Sequence, residues 1–170
     1  MSNTNFSRAR LRCAGFALAA VAYVLLSSAQ ARAATWKGLE PFVSKRADVE
    51  RVLGAPVADR MVADGTLEFN VSGGKVTVFF VTPKFAAAKR LPEHYTDTVL
   101  QIVLQHERAT DTPESMNLVN NKAFKREAKG EVEKYTDEKD GLIYTFVESH
   151  LKTTRYAYSM DRLARVQRGK

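Results

Sequence analysis

The stretch "TLEFNVSGGKVTVFFV", residues 66–81, contains two runs in which apolar and polar side chains alternate on either side of a glycine pair. Such alternation is typical of strands that bury one face, and the glycines predict a tight β-hairpin between them. A turn at Gly73 and Gly74 pairs the apolar residues on one face: Val71 with Val76, Phe69 with Val78, and Leu67 with Phe80. A one-residue slip would move these side chains to opposite faces, so the pattern predicts a hairpin packed on one side.

A short helix is predicted just before the hairpin, in "SKRADVERVLGAP" at residues 44–56. Its signals are an N-cap at Ser44, an early acid at Asp48, an apolar stripe of Val49, Val52 and Leu53, and a stop at Gly54 and Pro56. A helix of two turns is not stable alone, because nucleation costs more than so few hydrogen bonds return. We therefore expect its apolar stripe to pack on the sheet.

Further strands are predicted after the hairpin. "DTVLQIVLQ" at 97–105 indicates a central strand with Leu100, Ile102 and Leu104 on one face, and residues 82–96 before it are predicted to form an irregular connection. "TPESMNLVNNKAF" at 112–124 predicts a second helix, capped by Thr112, with Met116 and Val119 inward. "GEVEKYT", "LIYTFVE" and "TTRYAYSM" predict the last strands. The expected fold is α+β in two layers: a mostly antiparallel sheet of about five to six strands, with one or two short helices packed on one face.

The first 33 residues have the pattern of a secretory signal peptide: three arginines, an apolar run, and small residues at the end. Cleavage is expected after Ala33, with Ala31 as the alternative site. The apolar run is too short for a membrane span, and the only cysteine, Cys13, precedes it, which argues against a lipid anchor. The mature chain then has no cysteine, and it divides into one α+β domain at 34–160 and a basic tail at 161–170. These features predict a periplasmic or secreted protein.

Removing the signal peptide also changes the charge of the chain. The whole sequence has 26 basic and 19 acidic residues, but four of the basic residues and none of the acids lie within residues 1–33. The mature chain therefore has 22 basic and 19 acidic residues, a net charge of +3. Nucleic-acid binding loses most of its compositional support.

Four sequence segments resemble a known family. "WKGLEP", which begins at Trp36, together with "SKRADVERVLGAP", is similar to the opening of a family of short, uncharacterised exported bacterial proteins. "FKRE" at 124–127 and "YTDEKDGLIY" at 135–144 are also similar. More distantly, the helix and its Leu-Gly-x-Pro ending resemble the small outer-membrane-assembly lipoproteins and the β-lactamase-inhibitor-like domains. Both groups are α+β and bind other proteins, so the resemblance implies protein binding, although this chain lacks the lipidated cysteine of those lipoproteins.

Candidate catalytic groups are few. No nucleophile motif, phosphate-binding loop or paired-carboxylate signature occurs, and His94, His106 and His150 lack the spacing of metal ligands, so no cofactor is predicted. The loop "LPEHYTD" contains Glu93, His94 and Asp97, whose side chains are of the type used in acid–base catalysis. A small secreted hydrolase that uses these three residues is the alternative hypothesis. Loops gather such residues in any protein, so a solvated loop is the plainer interpretation.

Candidate binding residues form two groups. Lys122, Lys125, Arg126 and Lys129 surround Phe124, and Tyr156 and Tyr158 share one face of a regular strand. The basic group and the arginine-rich tail can contact an acidic protein or anionic lipid headgroups, without anchoring the chain in a membrane. A solvated charged surface and a packed tyrosine pair are the plainer interpretations. The sequence as a whole favours an exported binding or accessory module with a protein partner in the cell envelope.

Overall fold

The computed structural model describes residues 34–169, and the predicted signal peptide, its cleavage site and Cys13 lie outside that range. The described part is α+β, with a single antiparallel sheet, as predicted. The sheet has eight strands, so the expectation of five to six was too low. Two strands were missed: β1, which has only three residues, and β5, whose residues are all exposed and therefore carry no apolar alternation.

The strands lie in the order β1-β2-β3-β4-β8-β7-β6-β5. Their bounds are β1 Ala58–Arg60, β2 Thr66–Val71, β3 Gly74–Phe80, β4 Val99–His106, β5 Lys125–Lys129, β6 Val132–Asp137, β7 Leu142–Val147 and β8 His150–Ala157. The helices are α1 Arg46–Leu53, α2 Met61–Asp64, α3 Pro83–Lys89 and α4 Met160–Gln167, with a 3₁₀ turn at Glu93–Tyr95. The predicted central strand is β4, which pairs with β3 on one side and β8 on the other.

The β2–β3 hairpin has the predicted faces in a different register. Val71 pairs with Gly74 and Phe69 with Val76, so the turn lies at Ser72–Gly73 and the pairing is displaced by two residues. A two-residue displacement keeps every side chain on its face, which is why alternation alone cannot detect it. Gly74 belongs to β3, where it pairs with Val71 and His106, and the position requires glycine because a Cβ there would overlap the carbonyl oxygen of Gln105 in β4.

Helix α1 packs on the sheet through a narrower stripe than predicted. Val49 is fully buried with Leu67, Phe69 and the other core residues of the β2–β4 strands, and Leu53 packs against them from the edge. Val52 was predicted to face inward, but it is 37% exposed. An eight-residue helix presents only about two turns to the sheet, and Val52 lies beside the contact rather than within it.

Ser44 does not cap α1, contrary to the prediction. The N-cap residue is Lys45, whose backbone N–H donates to Asp48 Oδ2 at 2.9 Å. The hydroxyl of Ser44 instead accepts from the backbone N–H of Glu40 at 3.0 Å, and its carbonyl accepts from Val99 N at 2.7 Å. Ser44 therefore attaches the segment before α1 to β4. Gly54 ends the helix with a φ of 84°, as predicted.

A bulge in β4 changes one predicted face. Phe79 pairs with Gln101 but Phe80 pairs with Val99, so Leu100 is the extra residue between them. Leu100 therefore packs against a second cluster, while Val99 and Ile102 remain in the first. Leu100, Ile102 and Leu104 were predicted to share one face, and the bulge makes this wrong for Leu100.

Two helices that were not predicted as part of the packed fold contribute to the second cluster. Helix α3 lies in the stretch predicted to be irregular; Thr82 caps it by accepting from Phe85 N at 3.2 Å. Helix α4 lies in the predicted charged tail, and its Leu163 and Val166 are buried with Phe42 and Val81. The domain thus extends past residue 160, because the two apolar residues of this segment complete a core at one end of the sheet.

Residues 112–124 form a series of turns instead of the predicted helix. Thr112 Oγ1 accepts from Ser115 N, as a helix cap would, but Asn117 has a φ of 54°, which ends the helical path. Leu118 is buried against Tyr135, Phe146 and Leu151, while Val119, predicted to face inward, is 48% exposed. This segment covers the C-terminal half of the sheet without regular structure.

Candidate functional site

The register divides the sheet into two faces of different character. The packed face presents Leu67, Phe69, Val76, Val78 and Ile102 to α1 and the N-terminal segment, and Tyr135, Phe146 and Leu151 to residues 107–124. The opposite face is called the open face here. Besides the strand-end residues Val132, Val147 and Ala157, strand pairing and alternation place on it twelve residues of five strands, none of them buried. They are Lys75, Thr77, Phe79, Gln101, Val103, Gln105, Thr153, Arg155, Ile143, Thr145, Lys134 and Thr136.

The open face carries more positive than negative charge. With β2 and the edge strand β5 included, it has five cations and two carboxylates: Lys75, Lys125, Lys129, Lys134 and Arg155 against Glu68 and Glu127. Both carboxylates are neutralised, because Glu68 binds Arg60 at 2.6 Å and Glu127 binds Lys125 and Lys134. Within residues 34–169, Lys75, Lys129 and Arg155 have no ion-pair partner.

Arg155 lies near the centre of the open face. On neighbouring strands its register partners are Val103 and Ile143, both half-buried, so an exposed guanidinium stands between two apolar side chains. Lys75 and Lys134 lie two strands away from Arg155 on opposite sides, and strand spacing gives a Cα–Cα distance of about 12 Å from Arg155 to each of them. An arginine flanked by apolar surface can pack its stem on that surface and offer a planar group to carboxylates. The sequence analysis missed Arg155, although its alternation with Thr154 and Tyr156 places it on the outer face of β8.

A cleft of about 520 Å³ opens at one end of the open face. Thr136, Ile143 and Ala157 of the open face form part of its lining, with the β6–β7 turn on one side and the first turn of α4 on the other. Gly141 allows this geometry, because a Cβ there would overlap the carbonyl oxygen of Ala157. The hydroxyl of Thr136 is buried and has no hydrogen-bond partner among the described residues. The cleft is within the size range of ligand pockets.

The four basic residues predicted to bind a partner do not form one patch. Lys125 and Lys129 lie on the open face, whereas Arg126 pairs with Tyr135 and lies on the packed side of β5. Arg126 Nε binds Glu133 Oε2 at 3.0 Å, an ion pair that raises the pKa of Arg126 and lowers that of Glu133. Lys122 is in the turn before β5 and lines a cleft of about 320 Å³ with Lys125 and Lys139.

The predicted tyrosine pair is also separated. Tyr156 packs against the first cluster, and burial raises its pKa. Strand β8 ends at Ala157, so Tyr158 leaves the strand and packs in the second cluster, with its ring 5.2 Å from that of Phe42 and 6.2 Å from that of Phe85. Both tyrosines are half-buried and contribute to packing.

The predicted acid–base residues do not converge. Glu93, His94 and Asp97 are all exposed, and none of them is hydrogen-bonded to another in the structure. A cleft of about 280 Å³ beside α3 includes Glu93 but neither His94 nor Asp97. The ring of His94 stacks on Tyr95, with ring centroids 4.3 Å apart. This loop does not form a recognisable catalytic arrangement.

His106 is a half-buried histidine with a side-chain partner, whereas the exposed His150 has its Nδ1 2.7 Å from the carbonyl oxygen of Glu148 in its own turn. The Nε2 of His106 lies 2.9 Å from the hydroxyl of Thr154, on the packed face between the first and third clusters. Burial lowers the pKa of His106, although the charge of Asp111 opposes this effect. Its neighbours therefore favour the neutral imidazole. Within the described range, no group of three or more histidine, aspartate, glutamate or cysteine side chains could hold a metal ion.

Comparison with known proteins does not extend these observations, since no protein-family model, curated protein or solved structure matches this chain. Among residues 34–169, no helix is long and apolar enough to cross a membrane.

Proposed function

We propose that this protein is an exported binding module that acts through protein–protein contact, and that its binding surface is the open face centred on Arg155. The observation that carries the proposal is the arrangement of this face: Arg155 lies between the half-buried Val103 and Ile143, and two further cations without ion-pair partners lie on the same face of a sheet that is packed on its other side. Its partner is a protein of the cell envelope with an acidic surface.

Charge complementarity supports an acidic partner. The two carboxylates on the open face are already neutralised by neighbouring cations, so an approaching acidic surface meets Lys75, Lys129 and Arg155 without local repulsion. Interfaces are enriched in arginine and aromatic residues at their centres, and Arg155 with Phe79 provides both types. The resemblance to domains that bind other proteins points in the same direction.

A charge-reversal experiment tests the proposal. Tagged protein carrying Arg155→Glu and Lys75→Glu is produced in its native envelope, crosslinked and compared with the unaltered chain by mass spectrometry of captured proteins. The matched control is Lys84→Glu, because Lys84 is exposed on α3 and lies outside the open face. We expect a specific acidic partner to be lost with the double substitution and retained with the control.

Localisation is measured in the same cells. The proposal expects the tagged mature chain in the periplasmic or secreted fraction, with an N-terminus at residue 34, or at residue 32 if the alternative site is used. Partner capture that is insensitive to the open-face substitutions would contradict the proposed surface. A mature chain retained in the cytoplasm would contradict the proposed location.

A further inference from the structure

Strand β5 is an uncovered edge of the sheet, and we propose that it pairs antiparallel with β5 of a second copy, which joins two sheets into one of sixteen strands. β5 pairs only with β6, and all five of its residues, Lys125–Lys129, are exposed. The inference concerns β5, whose Lys125, Glu127 and Lys129 also belong to the open face, and it does not depend on the identity of the proposed partner.

The hydrogen-bonding groups of β5 point in known directions. Lys129 and Val132 are register partners that flank the two-residue turn at Gly130–Glu131, and such a closing pair exchanges both of its backbone hydrogen bonds. These directions alternate along a strand, so Lys125, Glu127 and Lys129 direct N–H and C=O towards β6. Arg126 and Ala128 direct theirs outward, where no strand of the described chain accepts them.

The charges of β5 are self-complementary in one register. If Ala128 pairs with Ala128 of the second copy, each Glu127 lies opposite Lys129 of the other chain, which gives two cross-strand ion pairs on one face. A register centred on Glu127 would also pair the outward backbone groups of Arg126 and Ala128, but it would place Glu127 opposite Glu127 and Lys125 opposite Lys129, which are like charges. A register centred on Arg126 would place two arginines opposite each other. The Ala128 register alone satisfies both the backbone and the charge pattern.

Pairing in this register has a consequence for the open face. Register partners in an antiparallel sheet project to the same side, so the two open faces would form one continuous surface. Lys125 and Lys129 of each copy would then lie near the middle of that surface. The dimer would offer a partner about twice the basic area of one copy.

The test uses sedimentation velocity on the mature chain with three variants. A single edge pairing buries less area than a standard interface, so we expect dimers with a Kd of about 1–100 µM. Ala128→Pro removes an outward N–H and leaves the bonds to β6 intact, since proline is tolerated at such edge positions. We expect Ala128→Pro to raise Kd by at least about tenfold, because each copy loses the hydrogen bond donated by residue 128 and the dimer therefore loses two.

Charge variants separate this register from non-specific association. Lys129→Glu places four carboxylates around Ala128 and is expected to raise Kd by about tenfold or more, whereas Glu127→Lys combined with Lys129→Glu restores opposite pairs and the dimer. Lys84→Glu controls for net charge, and thermal unfolding verifies that each variant is folded. A chain that remains monomeric at about 500 µM overturns the proposal. So does a dimer that responds neither to Ala128→Pro nor to the charge exchange.

Discussion

The packed and open faces of the same sheet differ in how deeply their side chains are buried, and therefore in what a substitution on each face should affect. On the packed face, nine residues from the N-terminal segment, α1 and strands β2–β4 form one buried cluster. On the open face, strands of the same sheet present threonine, glutamine and cations around a few half-buried apolar side chains. Substitutions on the first should change folding, and substitutions on the second should change binding. The predictions that follow test this division, from the largest expected effect to the smallest.

The first prediction compares one large side chain from each face. Phe69 is 1% exposed, so Phe69→Ala should lower the free energy of unfolding by about 3–5 kcal/mol, through lost burial and a cavity. Val103 lies in β4 on the open face and is only half-buried. Val103→Ala should therefore lower the free energy of unfolding by about 1 kcal/mol. Urea unfolding of both variants measures the difference. Equal losses would show that the open face is covered in solution.

The second prediction concerns the backbone contact between β3 and β4. Gly74→Ala places a methyl group against the carbonyl of Gln105 and should cost about 3 kcal/mol, because neither strand can move without breaking the sheet. Gly73→Ala is the matched control: its φ of 89° is strained for alanine, but nothing lies within 4 Å of the added carbon, so about 1 kcal/mol is expected. Similar costs for the two variants would contradict the observed turn position.

The third prediction is a pH effect on the packed face. Burial lowers the pKa of His106 in the folded state, so the unfolded chain takes up a proton first as pH falls below the ordinary pKa of about 6.5. The contribution of His106 to stability is present above that pH and is lost as pH decreases towards the folded-state pKa. Thermal unfolding between pH 7.5 and 5 should therefore show a smaller decrease in Tm for His106→Gln than for the unaltered chain. A larger decrease in Tm for His106→Gln would contradict a lowered pKa of His106 in the folded state.

The fourth prediction is the smallest effect on folding. Arg155 is exposed and has no ion-pair partner among the described residues, so Arg155→Glu should change the free energy of unfolding by no more than about 0.5 kcal/mol. Urea unfolding measured beside Val103→Ala provides the comparison. A loss above about 2 kcal/mol would mean that Arg155 is structural and that its effect on binding is indirect.

The sequence predicts side-chain faces better than it predicts register. Alternation placed Leu67, Phe69 and Val76 correctly, but a displacement of two residues preserves alternation, and the observed register includes a close contact of Gly74 with β4 that leaves no room for a Cβ. Similarly, the bulge at Leu100 depends on how β3 and β4 pair. Neither contact has a local signal.

Local signals were misleading where tertiary contacts decide the structure. Thr112 and Pro113 are a normal helix start, yet the chain turns at Asn117 to bury Leu118 on the sheet. Helix α3 was missed because its alanines give it almost no apolar stripe, and only Ala86 is buried.

The candidate site was only partly predictable. The charged segment at 122–129 was predicted as one basic group, but residues 125–129 form a strand, and alternation along that strand divides its side chains between the two faces. Arg155 becomes a candidate only when Lys75 and Lys134 are known to lie on the same face, and these residues are separated by 80 and 21 positions in the sequence. Catalytic residues were proposed in a loop whose side chains the fold leaves apart.

Site-specific photocrosslinking in the native envelope tests the central claim most directly. A photoreactive residue is placed at Gln105 or Thr153 on the open face, and at Asn120 on the segment that covers the packed face. We predict adducts to the same acidic protein from both open-face positions and none from position 120. Adducts from position 120 alone, or equally from all three positions, would contradict an account in which the open face is the binding surface.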